Sequence, residues 1–207
     1  MGKILEISGV ENFKNIRALV LTAMMISLAV ICNGLLRIEV IPNVLHIVFG
    51  FLFIAVVAFL FGPAMGFAAG FIASVITFLF FPPAGASFNP LFDLNRGLAG
   101  AFYGLFLFRR NPNSEYFIIW IVAVRVTVRA VCYLLINTSL MVLMGIIHGD
   151  AAGAWMAARL VTNIVALPVD ILLMFTILKF VQVVAQRYKF TAPAKILKKE
   201  GLPNKYK

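Results

Sequence analysis

A small group of polar residues in an apolar chain is the first feature of this sequence that could do chemistry. The stretch FNPLFDLNRGLAGAFYG, residues 88–104, places Asp93, Asn95 and Arg96 directly before an apolar run. A guanidinium binds a carboxylate through two parallel hydrogen bonds, and amides add neutral donors and acceptors. This set is suited to holding a small anionic molecule. The alternative is that Asp93 and Arg96, one helical turn apart, pair only to cap a helix.

Further polar residues occur in two later apolar runs. Asn137 and Thr138 come late in the fifth run, whereas Arg159 and Asn163 come early in the sixth run and, four residues apart, share a helix face. If successive runs cross a membrane in opposite directions, these residues and the first group lie at one level in its outer half. Interhelical hydrogen bonding is the alternative for the two asparagines. The predicted substrate-binding residues are Phe88, Asn89, Asp93, Asn95, Arg96, Tyr103, Asn137, Thr138, Arg159 and Asn163.

A second charged group lies deeper in the same two runs. Arg125 and Arg129 are four residues apart in the fifth run, and Asp170 lies in the sixth. Counted from the inner ends at 1.5 Å per residue, Arg129 and Asp170 lie at depths of roughly 18 and 22 Å. Because an unpaired charge inside a membrane is costly, we predict a structural ion pair between Arg129 and Asp170. A proton relay through Asp170 is the alternative.

The sequence lacks three common motifs of hydrolytic enzymes. It has no GxxxxGK[ST] phosphate loop, no HExxH and no GxSxG, and its two cysteines, Cys32 and Cys132, lie inside apolar runs. We therefore expect no ATP hydrolysis by a phosphate loop, no bound metal and no cofactor. A transport or binding subunit fits better than an enzyme.

Composition identifies the elements that must position these residues. Of the 207 residues 62% are hydrophobic and 13% are charged, against about 45–50% and about 25% in soluble domains. The chain is predicted to be an all-α integral membrane protein, a bundle of six transmembrane helices. A helix needs about 20 apolar residues to cross the membrane. The six apolar runs are Ile16–Leu36, Val44–Phe61, Ala64–Phe81, Gly97–Phe108, Phe117–Ile147 and Ala154–Ala185.

The distribution of charge predicts the topology. The net charge is +10, and the basic residues gather before the first run, between the fourth and fifth, and after the sixth. Because cytoplasmic loops are enriched in Lys and Arg, both termini are expected to be cytoplasmic. We expect basic residues to contact membrane lipid and not nucleic acid. The predicted organisation is a cytoplasmic segment at 1–15, a six-helix substrate-binding domain at 16–187 and a basic cytoplasmic tail at 188–207.

Three stretches resemble one family of membrane proteins. They are FGFLFIAVVAFLFGPAMGFAAG (Phe49–Gly70), NRGLAGAFYGLFLF (Asn95–Phe108), and INTSLMVLMG (136–145) taken with RLVTNIVALPVDILLM (159–174). Together they resemble the substrate-binding S component of energy-coupling factor (ECF) vitamin transporters, most closely the folate-type branch. The resemblance implies a six-helix bundle in a prokaryotic cell membrane, with a vitamin site near the outer surface.

The resemblance also implies partners. S components of this kind work with a membrane scaffold subunit and two cytoplasmic ATPases, and small residues of the first helix face the scaffold. Here Ala18 and Thr22, and likewise Ala23 and Ser27, are four residues apart and are the predicted scaffold contacts. We expect an ECF-type importer subunit that binds folate or a smaller carboxylate such as pantothenate. The alternative is a stand-alone, proton-coupled carrier of a small organic anion.

Overall fold

A computed structural model of the chain describes residues 9–35, 38–41, 45–82, 88–108, 110, 116–145 and 149–188. Within these residues the chain forms six helical segments joined by short connections. They are α1 (Ile16–Leu35), α2 (Gly50–Phe61), α3 (Pro63–Phe80), α4 (Pro90–Leu107), α5 (Phe117–Leu143) and α6 (Gly149–Tyr188). A 3₁₀ turn, Val10–Lys14, precedes α1, and an antiparallel pair of strands, β1 (Ile38–Ile41) and β2 (Leu45–Ile47), connects α1 to α2.

The predicted six-helix membrane bundle is confirmed. Among the described residues, four helical segments are long and apolar enough to cross a membrane, namely α1, α3, α5 and residues Arg159–Val184 of α6. The two remaining helices differ from these four. Helix α2 is apolar but has only 12 residues, and the apolar sequence of α4 is interrupted by Asp93 and Arg96. Residues 189–207 of the predicted basic tail at 188–207 lie outside the described residues, as do residues 1–8. The cytoplasmic orientation of the termini stays a prediction.

The two largest errors in the predicted helix boundaries lie at the starts of α2 and α4. The predicted second span, Val44–Phe61, is shorter than expected because its start forms β2 and α2 begins only at Gly50. The predicted fourth span, Gly97–Phe108, is longer than expected because α4 begins at Pro90. Hydropathy places both boundaries poorly, since it scores neither the β-propensity of a short apolar stretch nor a cap in front of polar residues.

The early start of α4 has a local cause. The side chain of Asn89 accepts a hydrogen bond from the backbone N–H of Leu91 at 3.0 Å, which satisfies one of the free donors of the first turn. Pro90 follows at the first helical position, where its missing N–H costs nothing and its fixed φ suits a helix. This start brings the polar residues at 93 and 95 inside the helix and against its neighbours.

The core of the bundle is built around α2. Ten of its twelve residues are buried, which explains why the helix is apolar on every side. At its end Gly62 adopts a positive φ of 98°, and Pro63 begins α3 directly afterwards, so the chain reverses in a single residue as the Gly-Pro pair predicts. Helices α3 and α4 then pack with almost no gap: a Cβ on Gly66 or Gly100 would collide with the carbonyl oxygen of the other.

Two irregular helices complete the bundle. The middle of α5, Val128–Ile136, is a π-helix, and such widened segments are frequent at functional sites. Helix α6 runs for 40 residues with Pro168 inside it, and proline removes one ladder hydrogen bond from a helix. Both irregularities lie beside the charged residues described below.

The predicted scaffold-contact residues of α1 divide between two surfaces. Ala18 and Thr22 are only 2% and 6% exposed, so their predicted place on a partner-facing surface is wrong. They pack inside the bundle because α1 turns this face toward the core. Ala23 and Ser27 are exposed, and the hydroxyl of Ser27 donates to the carbonyl oxygen of Ala23 at 3.0 Å. Exposed small residues therefore remain on α1, but only at these two predicted positions.

Candidate functional site

A cavity of about 110 Å³ lies between α2, α5 and α6. Its wall combines apolar and aromatic side chains with three charged residues and one amide. The lining residues are Val48, Phe51, Arg125, Arg129, Tyr133, Asn163, Ala166 and Asp170. The π-helical part of α5 contributes Arg129 and Tyr133, and α6 contributes the residues on either side of Pro168.

Asp170 is the centre of a charged cluster at this cavity. Asp170 is only 3% exposed, and its Oδ2 accepts hydrogen bonds from Nη2 of Arg125 and from Nη2 of Arg129. Nε of Arg129 donates to the same oxygen at 3.1 Å. The predicted contact between Arg129 and Asp170 is thus present, and Arg125 joins it. Arg125 and Arg129 reach one carboxylate because they are four residues apart and lie on neighbouring turns of one helix face.

Arg125 is enclosed on every side by protein. Arg125 is only 2% exposed, and its Nη1 donates to the hydroxyl oxygen of Tyr103 on α4. The guanidinium also lies over the ring of Phe51, with 3.8 Å between Cζ and the ring centroid. A desolvated cation in this position is attracted by the negative face of the ring. Arg125 therefore connects α2, α4, α5 and α6 at one point.

Arg129 is the more accessible of the two cations. Its side chain is 16% exposed, against 3% for that of Arg125. Nη1 of Arg129 donates to Oδ1 of Asn163 at 2.5 Å, which ties the guanidinium to the part of α6 preceding Pro168. The cavity therefore presents one guanidinium and an amide to an incoming molecule.

This arrangement is suited to binding an organic anion. Small-molecule sites typically combine an apolar and aromatic wall with a few fixed polar groups, and here Phe51 and Tyr133 provide rings and the arginines provide positive charge. The cavity volume is below the roughly 300–1,000 Å³ of pockets that enclose a drug-sized ligand. It therefore accommodates one end of such a molecule.

Comparison with known proteins identifies the family. A family model described as "ECF transporter, substrate-specific component" matches residues 17–178, most of the chain. The chain belongs to this family. This S component is a multi-pass membrane protein of prokaryotic type, and its family is one of transporter components.

Two relatives extend the comparison. The protein "Folate transporter FolT" of Clostridium novyi (strain NT) is 25% identical over 168 residues, which cover 81% of this chain and 91% of that protein. The solved structure "Crystal structure of FolT bound with folic acid" has a TM-score of 0.66 at 22% identity, over 78% of this chain and 92% of that one. This similarity shows that the S component has the same fold.

Most of the residues predicted from the sequence do not line this cavity. Asn163 lines it, and Tyr103 supports it from behind through Arg125. Arg96, the residue first expected to hold a carboxylate, is exposed and is not part of its wall. Phe88 is also exposed, and its ring lies 5.4 Å from that of Phe78 on α3. Arg159 is half-buried and lies one turn before Asn163 on α6.

The polar residues of α4 are buried between helices instead. Asp93 is 5% exposed and accepts a hydrogen bond from the hydroxyl of Ser74 on α3 at 2.5 Å. The carboxylate of Asp93 therefore contacts Ser74, and not Arg96 as the alternative prediction had it. Asn95 is 6% exposed, and its Nδ2 donates to the carbonyl oxygen of Cys132 in the π-helix at 2.8 Å. Both side chains join α4 to its neighbours.

Three other predicted residues lie where α4 meets the end of α5. Nδ2 of Asn89 contacts the sulfur of Met144 at 3.0 Å. Oδ1 of Asn137 and Oγ1 of Thr138 are buried and have no hydrogen-bond partner among the described residues. None of these three residues lines the cavity.

Sequence reasoning missed Arg125, Phe51 and Tyr133 as residues of the site. A signal for Arg125 was available, because its four-residue spacing from Arg129 places both on one helix face. Nothing in the sequence distinguishes Phe51 from the other phenylalanines, since its contact with Arg125 depends on the rotation of α2.

Proposed function

We propose that this S component captures a small anionic vitamin, folate or pantothenate, in the cavity between α2, α5 and α6. The observation that supports it best is the pair of guanidiniums, Arg125 and Arg129, that share the carboxylate of Asp170 inside an apolar bundle. Such a cluster is costly in a membrane protein and typically marks a substrate pathway. The substrate would supply the additional negative charge.

Folate is the first candidate because of the relatives. FolT of Clostridium novyi is named a folate transporter, and the FolT of the solved structure binds folic acid. The apolar wall with the rings of Phe51 and Tyr133 would pack against the part of folate that enters the cavity. Pantothenate is the second candidate, because it also carries a carboxylate and needs only a guanidinium and an amide, which Arg129 and Asn163 offer.

Delivery to the cytoplasm would depend on other subunits. The sequence has no phosphate loop, so the proposed import uses an ECF scaffold subunit in the membrane and two cytoplasmic ATPases. Ala23 and Ser27 on the exposed face of α1 are the remaining candidates for the scaffold contact. The vitamin is the cargo, and the proposed cycle involves no cofactor.

The contacts of Asp170 argue against a stand-alone proton-coupled carrier. A proton on Asp170 would remove the carboxylate charge that faces both Arg125 and Arg129. Two cations would then remain in the bundle, and the loss of one partner from a buried ion pair is strongly destabilising. The carboxylate of Asp170 is therefore already engaged as the common counter-charge of both arginines.

Binding and uptake experiments test the proposal separately. Purified protein in detergent would be titrated calorimetrically with folate and pantothenate, with uncharged riboflavin as the control ligand. We expect stoichiometric binding of one of the two anionic vitamins without ATP. Uptake of that vitamin into cells should require co-expression of the scaffold and ATPases. Uptake by this chain alone, without partner subunits of the host, would instead support the proton-coupled carrier.

A further inference from the structure

More N–H groups are directed at one oxygen of Asp170 than that oxygen has lone pairs. One from Arg125 and two from Arg129 donate to the single oxygen Oδ2, whereas a carboxylate oxygen has two lone pairs. In addition, Nε of Arg125 is buried and has no hydrogen-bond partner among the described residues. The two guanidiniums therefore have donor capacity left over.

The charge at the cavity is also unbalanced. Among the described residues that line it, Arg125 and Arg129 are positive and Asp170 is negative. A net positive charge inside an apolar bundle is unfavourable until an anion completes it. An anionic group such as a second carboxylate would balance this charge.

The exposure of the two arginines determines which of them an incoming anion could contact. Arg125 is held by Tyr103, Phe51 and Asp170 and is almost fully enclosed. Arg129 is more exposed, and its three hydrogen bonds use three of the five N–H groups of a guanidinium. Two N–H groups of Arg129 thus remain for an incoming anion.

We propose, on the basis of the vitamin-binding function above, that Arg129 binds a carboxylate of the substrate directly. Arg125 is then a positioning residue that fixes Asp170 within the bundle. Substrate binding brings the cluster to two positive and two negative charges, so the site selects anionic substrates over neutral molecules of the same shape. Asn163, which already contacts Arg129, holds the guanidinium in place during the exchange.

The test compares ligands that differ in charge but not in shape. Folate and its α,γ-diamide would be titrated into the full chain in detergent, or pantothenate and pantothenamide if pantothenate is the vitamin bound. Since a hydrogen bond to a charged group contributes enough for about a tenfold change in affinity, we expect the carboxylate form to bind at least that much more tightly. Equal affinities would overturn the role of Arg129 alone, whereas binding of neither vitamin would overturn the proposed function with it.

Variants of Arg129 test whether this side chain causes the preference for a carboxylate over an amide ligand. Arg129→Gln removes the charge but keeps hydrogen-bonding groups, and it should abolish the preference for carboxylate over amide. Arg129→Lys keeps the charge without the planar fork and should retain part of the preference. Arg17→Gln is the matched control, because Arg17 is exposed in the first turn of α1 and does not line the cavity. It should keep the wild-type ratio of affinities.

The ratio separates recognition from a merely structural role. A structural role of Arg129 would lower the affinities for carboxylate and amide by the same factor, and an unchanged ratio in Arg129→Gln would therefore contradict direct binding. If Arg129→Gln does not fold, the comparison of the wild-type protein with Arg129→Lys replaces it. A preference for carboxylate that is as large in Arg129→Lys as in the wild-type protein would also contradict direct binding by Arg129.

Discussion

Arg129 on α5 and Asp170 on α6 form an ion pair that joins the two longest helical segments of the bundle beside its polar cavity. This contact matters for α6 because only 17% of its most apolar stretch is buried within the chain. A helix with so few apolar contacts depends on a small number of strong polar ones for its position. The same residues would then set both the placement of α6 and the binding of substrate.

Substitution of the shared carboxylate should destabilise the bundle. Asp170→Asn keeps the size of the side chain but leaves Arg125 and Arg129 without their common counter-charge. Removal of one partner from a buried ion pair costs about 3–5 kcal/mol. We expect a clearly lower unfolding midpoint of the purified variant in thermal scanning in detergent.

Arg125→Met serves as the comparison for this variant. It removes one cation and leaves Arg129 and Asp170 as a neutral pair, so it should lower the midpoint less than Asp170→Asn does. An equal or larger loss in Arg125→Met would show that the contacts with Tyr103 and Phe51, and not the charge balance, dominate the stability of the cluster.

Tyr103→Phe should weaken the cluster through a single hydrogen bond. The substitution removes the hydroxyl that accepts from Nη1 of Arg125 and leaves the ring in place. Because a buried donor without a partner costs about 1–3 kcal/mol, we expect a moderate loss of stability. In a double-mutant cycle with Arg125→Met the two losses should not add. Full additivity would indicate that the hydroxyl stabilises the fold through another group.

The variant Arg96→Gln tests which of two sites binds the substrate, the start of α4 that the sequence predicted or the cavity between α2, α5 and α6. Arg96 is exposed and lies outside the cavity wall, so we expect the calorimetric affinity for the vitamin to stay at the wild-type value. A large loss of affinity in a folded variant would place the substrate at the start of α4, as the sequence first suggested.

Helices α1 and α3 could be predicted closely, because their apolar runs end at strong breaks. Helix α1 ends at Leu35 where Leu36 was expected, and α3 occupies Pro63–Phe80 where Ala64–Phe81 was expected. The requirement that a helix in lipid be long and apolar is simple enough to be read from composition alone.

The rotation of each helix could not be predicted in the same way. Ala18 and Ala23 are both small residues at the spacing of helix contacts, yet the first is buried in the core and the second is exposed. Asp93 and Asn95 were expected to face a ligand, and they hydrogen-bond to α3 and α5 instead. In an apolar chain every face of a helix has a similar hydropathy, so a polar residue identifies an interior face without saying whether protein or substrate occupies it.

The close packing of α3 against α4 leads to a last prediction, in which two glycines are compared. Gly100→Ala would place a methyl group against the carbonyl oxygen of Gly66, which belongs to the backbone of the other helix and can move only with it. Overpacking of this kind costs about 1–3 kcal/mol. Gly153→Ala is the control, since its new Cβ on α6 meets no atom within 4 Å and alanine favours a helix over glycine by about 1 kcal/mol. Thermal scanning should show a lower midpoint for Gly100→Ala and an unchanged or higher one for Gly153→Ala. Equal midpoints for the two variants would mean that α3 and α4 separate without cost.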